Sequence, residues 1–107
     1  MRSADVIVVG TGAAGLFHAL FLPRDYRVIM ITKTEVEESD SFLAQGGISA
    51  LRNEEDYDRY FEDTMKAGHY ENDKAAVDKM ITRSREIIDD LIGFGCQLKL
   101  REGDTEY

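Results

Sequence analysis

Asp5-Val6-Ile7-Val8-Val9-Gly10-Thr11-Gly12-Ala13-Ala14-Gly15 decides the fold. An apolar run of strand character, Val6 to Val9, leads straight into a G-x-G-x-x-G turn. The apolar stretch Leu16-Phe17-His18-Ala19-Leu20-Phe21-Leu22 follows at once. Strand, tight glycine turn and helix in that order make a dinucleotide-binding unit; the bare glycine pattern, shared with unrelated turns, does not. Gly10 is expected to permit the sharp turn off the strand. Gly12, without a Cβ, lets a pyrophosphate approach the backbone, and Gly15 lets the helix pack close to the strand. Thr11 lines the turn. The unpaired N–H groups of the first helical turn, at Gly12, Ala13 and Ala14, then face the phosphates, whose charge the helix dipole favours.

Working outward, Pro23 is expected to bound the first helix. Arg27-Val28-Ile29-Met30-Ile31-Thr32 reads as a second strand. Its continuous apolarity suits a parallel strand covered on both faces. The fold class is therefore α/β, a βαβ portion of a Rossmann-like dinucleotide-binding domain. His18 reads as a partly exposed helix residue. Residues 33–53 show little helical or strand period and read as a long functional loop, acidic at Glu35, Glu37, Glu38 and Asp40.

Two amphipathic helices follow. Residues 54–67 place Tyr57, Tyr60, Phe61, Thr64 and Met65 on one face, with Gly68 as C-terminal cap and His69 and Tyr70 in the turn beyond. Asn72 or Asp73 caps a longer helix over residues 74–94. Its core stripe is expected to be Val77, Met80, Ile81, Ser84, Ile87, Ile88, Leu91 and Ile92. Asp78, Lys79, Arg83, Arg85, Glu86 and Asp89 form its solvated face. Gly93 and Gly95 end it, Cys96 is expected buried, and Gln97-Leu98-Lys99-Leu100-Arg101 alternates as a short third strand.

At 107 residues, the chain is short for a Rossmann-type enzyme, each crossover of which takes some thirty residues. It reads as the N-terminal piece of something longer. No apolar run reaches the roughly 20 residues of a membrane span, and no signal peptide is apparent. A single cysteine excludes an internal disulfide framework and suits a reducing cytoplasm. A net charge of −8 argues against nucleic acid or an anionic membrane as partner. An anionic cofactor must then be held by local N–H groups and a few well-placed cations. Nothing in the pattern points to a metal.

The end of the second strand commonly selects the nucleotide through an acidic residue on the ribose. Here it carries Thr32-Lys33, with Glu35 beyond. Lys33 could meet a 2′-phosphate, which suggests NADP, or donate to ribose oxygens; Glu35 could curl back as the acid. The strand end leaves these open.

The loop adds a further signal. Asp40-Ser41-Phe42-Leu43-Ala44-Gln45-Gly46-Gly47-Ile48-Ser49-Ala50 resembles the flavin-contacting loop of the succinate dehydrogenase and fumarate reductase flavoprotein superfamily. The likeness is greatest to its L-aspartate-oxidising branch. There a G-[ST]-G-A-A-G turn precedes a strand ending in Ser/Thr-Lys, and a segment like S-T-F-Y-A-Q-G-G-I-A-A comes about seven residues later. Glu62-Asp63-Thr64-Met65-Lys66-Ala67-Gly68 is likewise similar to the E-D-T-x-x-A-G helix end of that branch. The resemblance implies FAD as cofactor, with Lys33 facing the ribose or adenine. Asp40, Ser41, Phe42, Leu43, Ala44, Gln45, Gly46 and Gly47 then pass beneath the isoalloxazine, where backbone N–H groups tune the ring. Asp40 and Leu43 depart from the residues usual there. Covalent members of the superfamily have a histidine at this place, so Asp40 implies a dissociable FAD.

The resemblance further implies oxidation of L-aspartate to iminoaspartate, with oxygen or fumarate as electron acceptor. Iminoaspartate would feed quinolinate formation on the route to NAD, with quinolinate synthase as a partner. The catalytic arginine and histidine side chains would lie beyond residue 107, leaving this segment with cofactor binding alone. A soluble fumarate or succinate oxidoreductase, or an NADP-binding module without flavin chemistry, is the alternative.

Overall fold

The computed structural model describes residue 1, residues 3–44 and residues 46–98. The chain is mixed α/β and forms two compact units that meet in sequence at Gly46 and Gly47.

The first unit holds β1 (Val6–Val9), α1 (Ala13–Leu20) and β2 (Val28–Ile31). The strands are parallel, with Val6 opposite Val28 and Val9 opposite Ile31. Hydrogen bonds extend the ladder at both ends: Asp5 N–H donates to Arg27 O at 2.9 Å and Gly10 N–H to Ile31 O at 2.8 Å. The Asp5 carboxylate accepts from Arg27 N at 2.8 Å and pairs with its guanidinium at 3.3 Å. That guanidinium holds the Asp5 carboxyl below the usual carboxylate range. The helix stops at Leu20, three residues before Pro23, and β2 is shorter than residues 27–32.

The expected structureless loop contains helix. A 3-10 turn, Val36–Glu38, runs into a single helical turn, α2 (Asp40–Leu43). Ser39 causes it: its hydroxyl accepts from Phe42 N at 3.2 Å, and Asp40 sits at the positive end of the turn. A turn this short leaves no periodicity in the sequence.

The second unit, from Gly47 on, is built on α3 (Tyr57–Ala67) and α4 (Lys74–Gly93). Glu54–Asp56 is a separate 3-10 turn rather than the start of the α-helix, because Asn53 Oδ1 accepts from Asp56 N at 3.1 Å and tightens the entry. Met65, Val77 and Ile81 form the core, with Leu51, Tyr57, Tyr60 and Phe61 against it. Asp73 caps α4 by accepting from Ala76 N at 3.0 Å. Asn72 serves the other helix: its Nδ2 donates to Thr64 O at 3.3 Å.

Both helix ends close in the same way. His69 N–H reaches Lys66 O and Tyr70 N–H reaches Met65 O; Gly95 N–H reaches Ile92 O and Cys96 N–H reaches Leu91 O. These are Schellman closures. At α4 the left-handed residue is Gly95, with φ +97°. At α3 it is His69, followed by Tyr70, with φ 54° and 60°. Gly68 lies against Asn72, whose amide a Cβ there would have to displace, standing 2.0 Å from its Oδ1.

Three expectations are corrected. Met80 and Ile92 are exposed, because the apolar stripe of α4 is wider than the face α3 covers. Cys96 is exposed, since the Schellman turn carries it out past the helix end. Gln97 and Leu98 are in no strand, and the remainder of the expected strand, residues 99–101, lies outside the described residues.

Candidate functional site

Of the expected site residues, Gly10 to Gly15 and Ser41 come together at the carboxyl end of β1. Gly10 has φ +106°, a backbone that an L side chain would strain. The chain turns there and α1 begins three residues later. A Cβ on Gly15 would meet Gly10 O at 2.2 Å and Val8 Cγ1 at 3.3 Å, so only a glycine allows this helix–strand approach. Gly12 is the N-cap of α1. It offers no side chain to the free N–H groups, and no acidic residue occupies the first turn. Thr11 is 6% exposed, and its Oγ1 has no hydrogen-bond partner among the described residues.

Ser41, on α2, comes to this turn from far along the chain. Its Oγ accepts from Ala13 N at 2.9 Å, and a Cβ on Gly12 would stand 3.0 Å from that same oxygen. The sequence placed Ser41 only in a flavin loop; nothing local announces its contact with α1. Ala14 is exposed at the helix start, Lys33 is exposed just past the end of β2, and Asp40, Phe42, Leu43, Ala44 and Gly46 are exposed around α2. Gln45 lies outside the described residues.

Gly47 belongs to the second unit, where with Ile48, Ser49 and Tyr60 it edges a groove of about 720 Å³ along α4. The residues after it are anchored there. Tyr60 Oη donates to Ser49 O at 3.0 Å, Leu51 N–H donates to Ser84 Oγ at 2.8 Å, and Arg85 Nη1 donates to Arg52 O at 3.2 Å. Ser84, expected in the core stripe, is buried because its own proton goes to Ile81 O at 2.7 Å. Burial pushes the Tyr60 phenol up, and the side chain of Ser49 partly opposes it.

Chemically, the turn at residues 10–15 suits a phosphate. It has a helix start whose own N-cap carries no side chain, a glycine with little room beside Ser41, and a buried hydroxyl with bonding capacity to spare. Among the described residues, no group of His, Cys, Asp or Glu side chains could hold a metal ion. No described helix is long and apolar enough to cross a membrane.

Comparison with known proteins agrees with this turn. The family model described as FAD binding domain matches residues 5–106. The chain is 42% identical over 104 residues to an L-aspartate oxidase of Clostridium acetobutylicum, covering 96% of this chain and 24% of that protein. It is 43% identical over 106 residues to one of Clostridium perfringens, covering 99% and 24%. It is 44% identical over 92 residues to one of Synechocystis, covering 85% and 17%. The chain thus spans a quarter or less of the length of these curated relatives. No solved structure matches it.

Proposed function

The chain belongs to the FAD binding domain family, and from that premise we propose that it is the N-terminal part of an L-aspartate oxidase. The observation that carries this reading is the identity above 40% with L-aspartate oxidases over nearly the whole chain. The unit of β1, α1 and β2 is then the start of a Rossmann-like FAD-binding domain, completed by chain beyond these residues. In the reaction, L-aspartate loses a hydride from Cα and a proton from nitrogen and becomes iminoaspartate. FAD, when bound, supplies the hydride acceptor, with oxygen or fumarate taking the electrons onward. The product would pass to quinolinate formation, by way of quinolinate synthase, in the cytoplasm.

The residues in hand bind and orient. The N–H groups of Gly12 and Ala14 face the pyrophosphate, with Gly10, Thr11, Gly15 and Ala13, whose N–H is bonded to Ser41 Oγ, shaping the turn around it. Lys33 supplies a cation toward the adenosine half, which counts for more in a chain of charge −8. Residues 40–47 lie along the flavin. With aspartate at position 40, no histidine is available there for a covalent link, and FAD is held non-covalently.

The test uses the full-length protein. Acid precipitation should leave the yellow colour in the supernatant, and anaerobic L-aspartate should bleach the flavin while succinate does not. Bleaching by succinate alone assigns the protein to the succinate and fumarate oxidoreductases instead. A protein without flavin absorbance refutes both.

A further inference from the structure

We propose that Ser41 is a positioning residue that locks the α2 loop onto the phosphate turn, and that glycine at position 12 gives its side chain room to do so. A helix whose N-cap is glycine has no side chain of its own to accept its first N–H. Here that acceptor comes from another element: Ser41 Oγ, 28 residues on, takes the N–H of Ala13, the first residue of α1. Ser41 can reach it because Ser39 winds residues 40–43 into one helical turn. The approach is close enough that a Cβ on Gly12 would lie 3.0 Å from Ser41 Oγ and 3.8 Å from Ser41 Cβ. The hydroxyl is thus a cap supplied from a distant part of the same chain, and the glycine leaves it room.

The consequence is mechanical. The chain leaving Ser41 carries Phe42, Leu43 and Ala44, which the FAD reading places along the flavin. Their starting point is set by the bond to Ala13. A serine hydroxyl that accepts from an N–H also keeps its own proton to donate. Ser41 can therefore hold Ala13 and still offer a donor to an anion at the turn. The inference rests on the proposed FAD site for its second test and not for its first.

The first test is amide hydrogen exchange in the full-length protein stripped of flavin. Ser41→Ala should speed exchange at Ala13 by about tenfold, the scale of one lost hydrogen bond, and Ser41→Thr should leave it protected. Unchanged protection in Ser41→Ala overturns the inference whether or not FAD binds. The second is a double-mutant cycle on the FAD dissociation constant. Gly12→Ala should weaken binding. Adding Ser41→Gly should recover about tenfold of that loss, by removing the side chain that the new methyl meets. If the two losses add, Gly12 answers to the cofactor alone and the inference is wrong. A wild-type protein that binds no FAD while Ser41→Ala still deprotects Ala13 sinks the proposed function and leaves Ser41 as the lock.

Discussion

The two units of this chain are held together differently. From Gly47 on, the helices bury a core of their own: Ile81 is 0% exposed, and Met65, Val77 and Ile88 are nearly so. Up to Gly46, Val8 is buried, but Ile7 and Val9 beside it on β1 are 60% and 82% exposed, and Leu20, Phe21 and Ile31 are open as well. The second unit is stabilised by apolar burial. The first is specified by backbone geometry: a left-handed glycine, a helix start capped from a distance, and an ion pair at the foot of the sheet. The candidate site's turn sits in the unit that packs itself least, and its open apolar surface is what the further strands of a Rossmann-like domain would cover.

The contrast breaks most visibly at Ile81. Ile81→Ala should cost about 2–5 kcal/mol, as a cavity in a closed core does. Val9→Ala, at a position already in solvent, should cost far less in the 107-residue chain; helix signal followed through urea melts of the two variants checks this. Equal losses would show that β1 is covered after all. Gly15→Ala comes next, at about 1–3 kcal/mol, since the new methyl meets a backbone oxygen that has no rotamer to escape into. Because the clash is with the turn itself, FAD affinity in the full-length protein should fall while the α3–α4 unit melts as before.

Lys33→Ala should then weaken FAD binding by about 1–2 kcal/mol, the scale of a charge-assisted hydrogen bond, and Glu35→Ala by less. Titration of flavin fluorescence measures both, and equal dissociation constants for wild type and Lys33→Ala would remove Lys33 from the site. Asp73→Ala removes the cap of α4 and should cost about 1 kcal/mol, read from the same urea melts, without touching FAD affinity.

The smallest effect is the pH dependence at Asp5. Its carboxyl titrates lower in the folded chain than when unfolded, because of Arg27. The ion pair therefore contributes in full above the ordinary carboxylate value and fades as pH falls below about 4. Asp5→Asn keeps the hydrogen-bond acceptor and removes the charge. Its melting temperature should lie slightly below wild type at pH 7 and draw level at low pH; a gap that persists in acid would mean that the charge is not what matters.

What could be read without coordinates was local. The order of strand, glycine turn and helix, a cap for α4 at Asn72 or Asp73, and the face of α3 that meets Val77 and Ile81 all follow from neighbours within a few residues. There backbone conformation and side-chain period decide the outcome. Periodicity says which side of a helix is apolar but not how much of that side a neighbour reaches, so Met80 and Ile92 looked buried and are not. It is also silent on a helix of one turn, and α2 passed for loop.

The remaining features were decided by tertiary structure alone. Ser41 caps a helix 28 residues away. Asn72 packs its amide against Gly68, although the left-handed turn is at His69. The loop 33–53 divides between Gly46 and Gly47, its second half tied to Ser84, Arg85 and Tyr60. A hydroxyl, an amide or a missing Cβ has the same appearance in a sequence whatever it meets. Its partner is chosen by which segments the folded backbone brings within 3 Å, and that distance is not a property of any one stretch of chain.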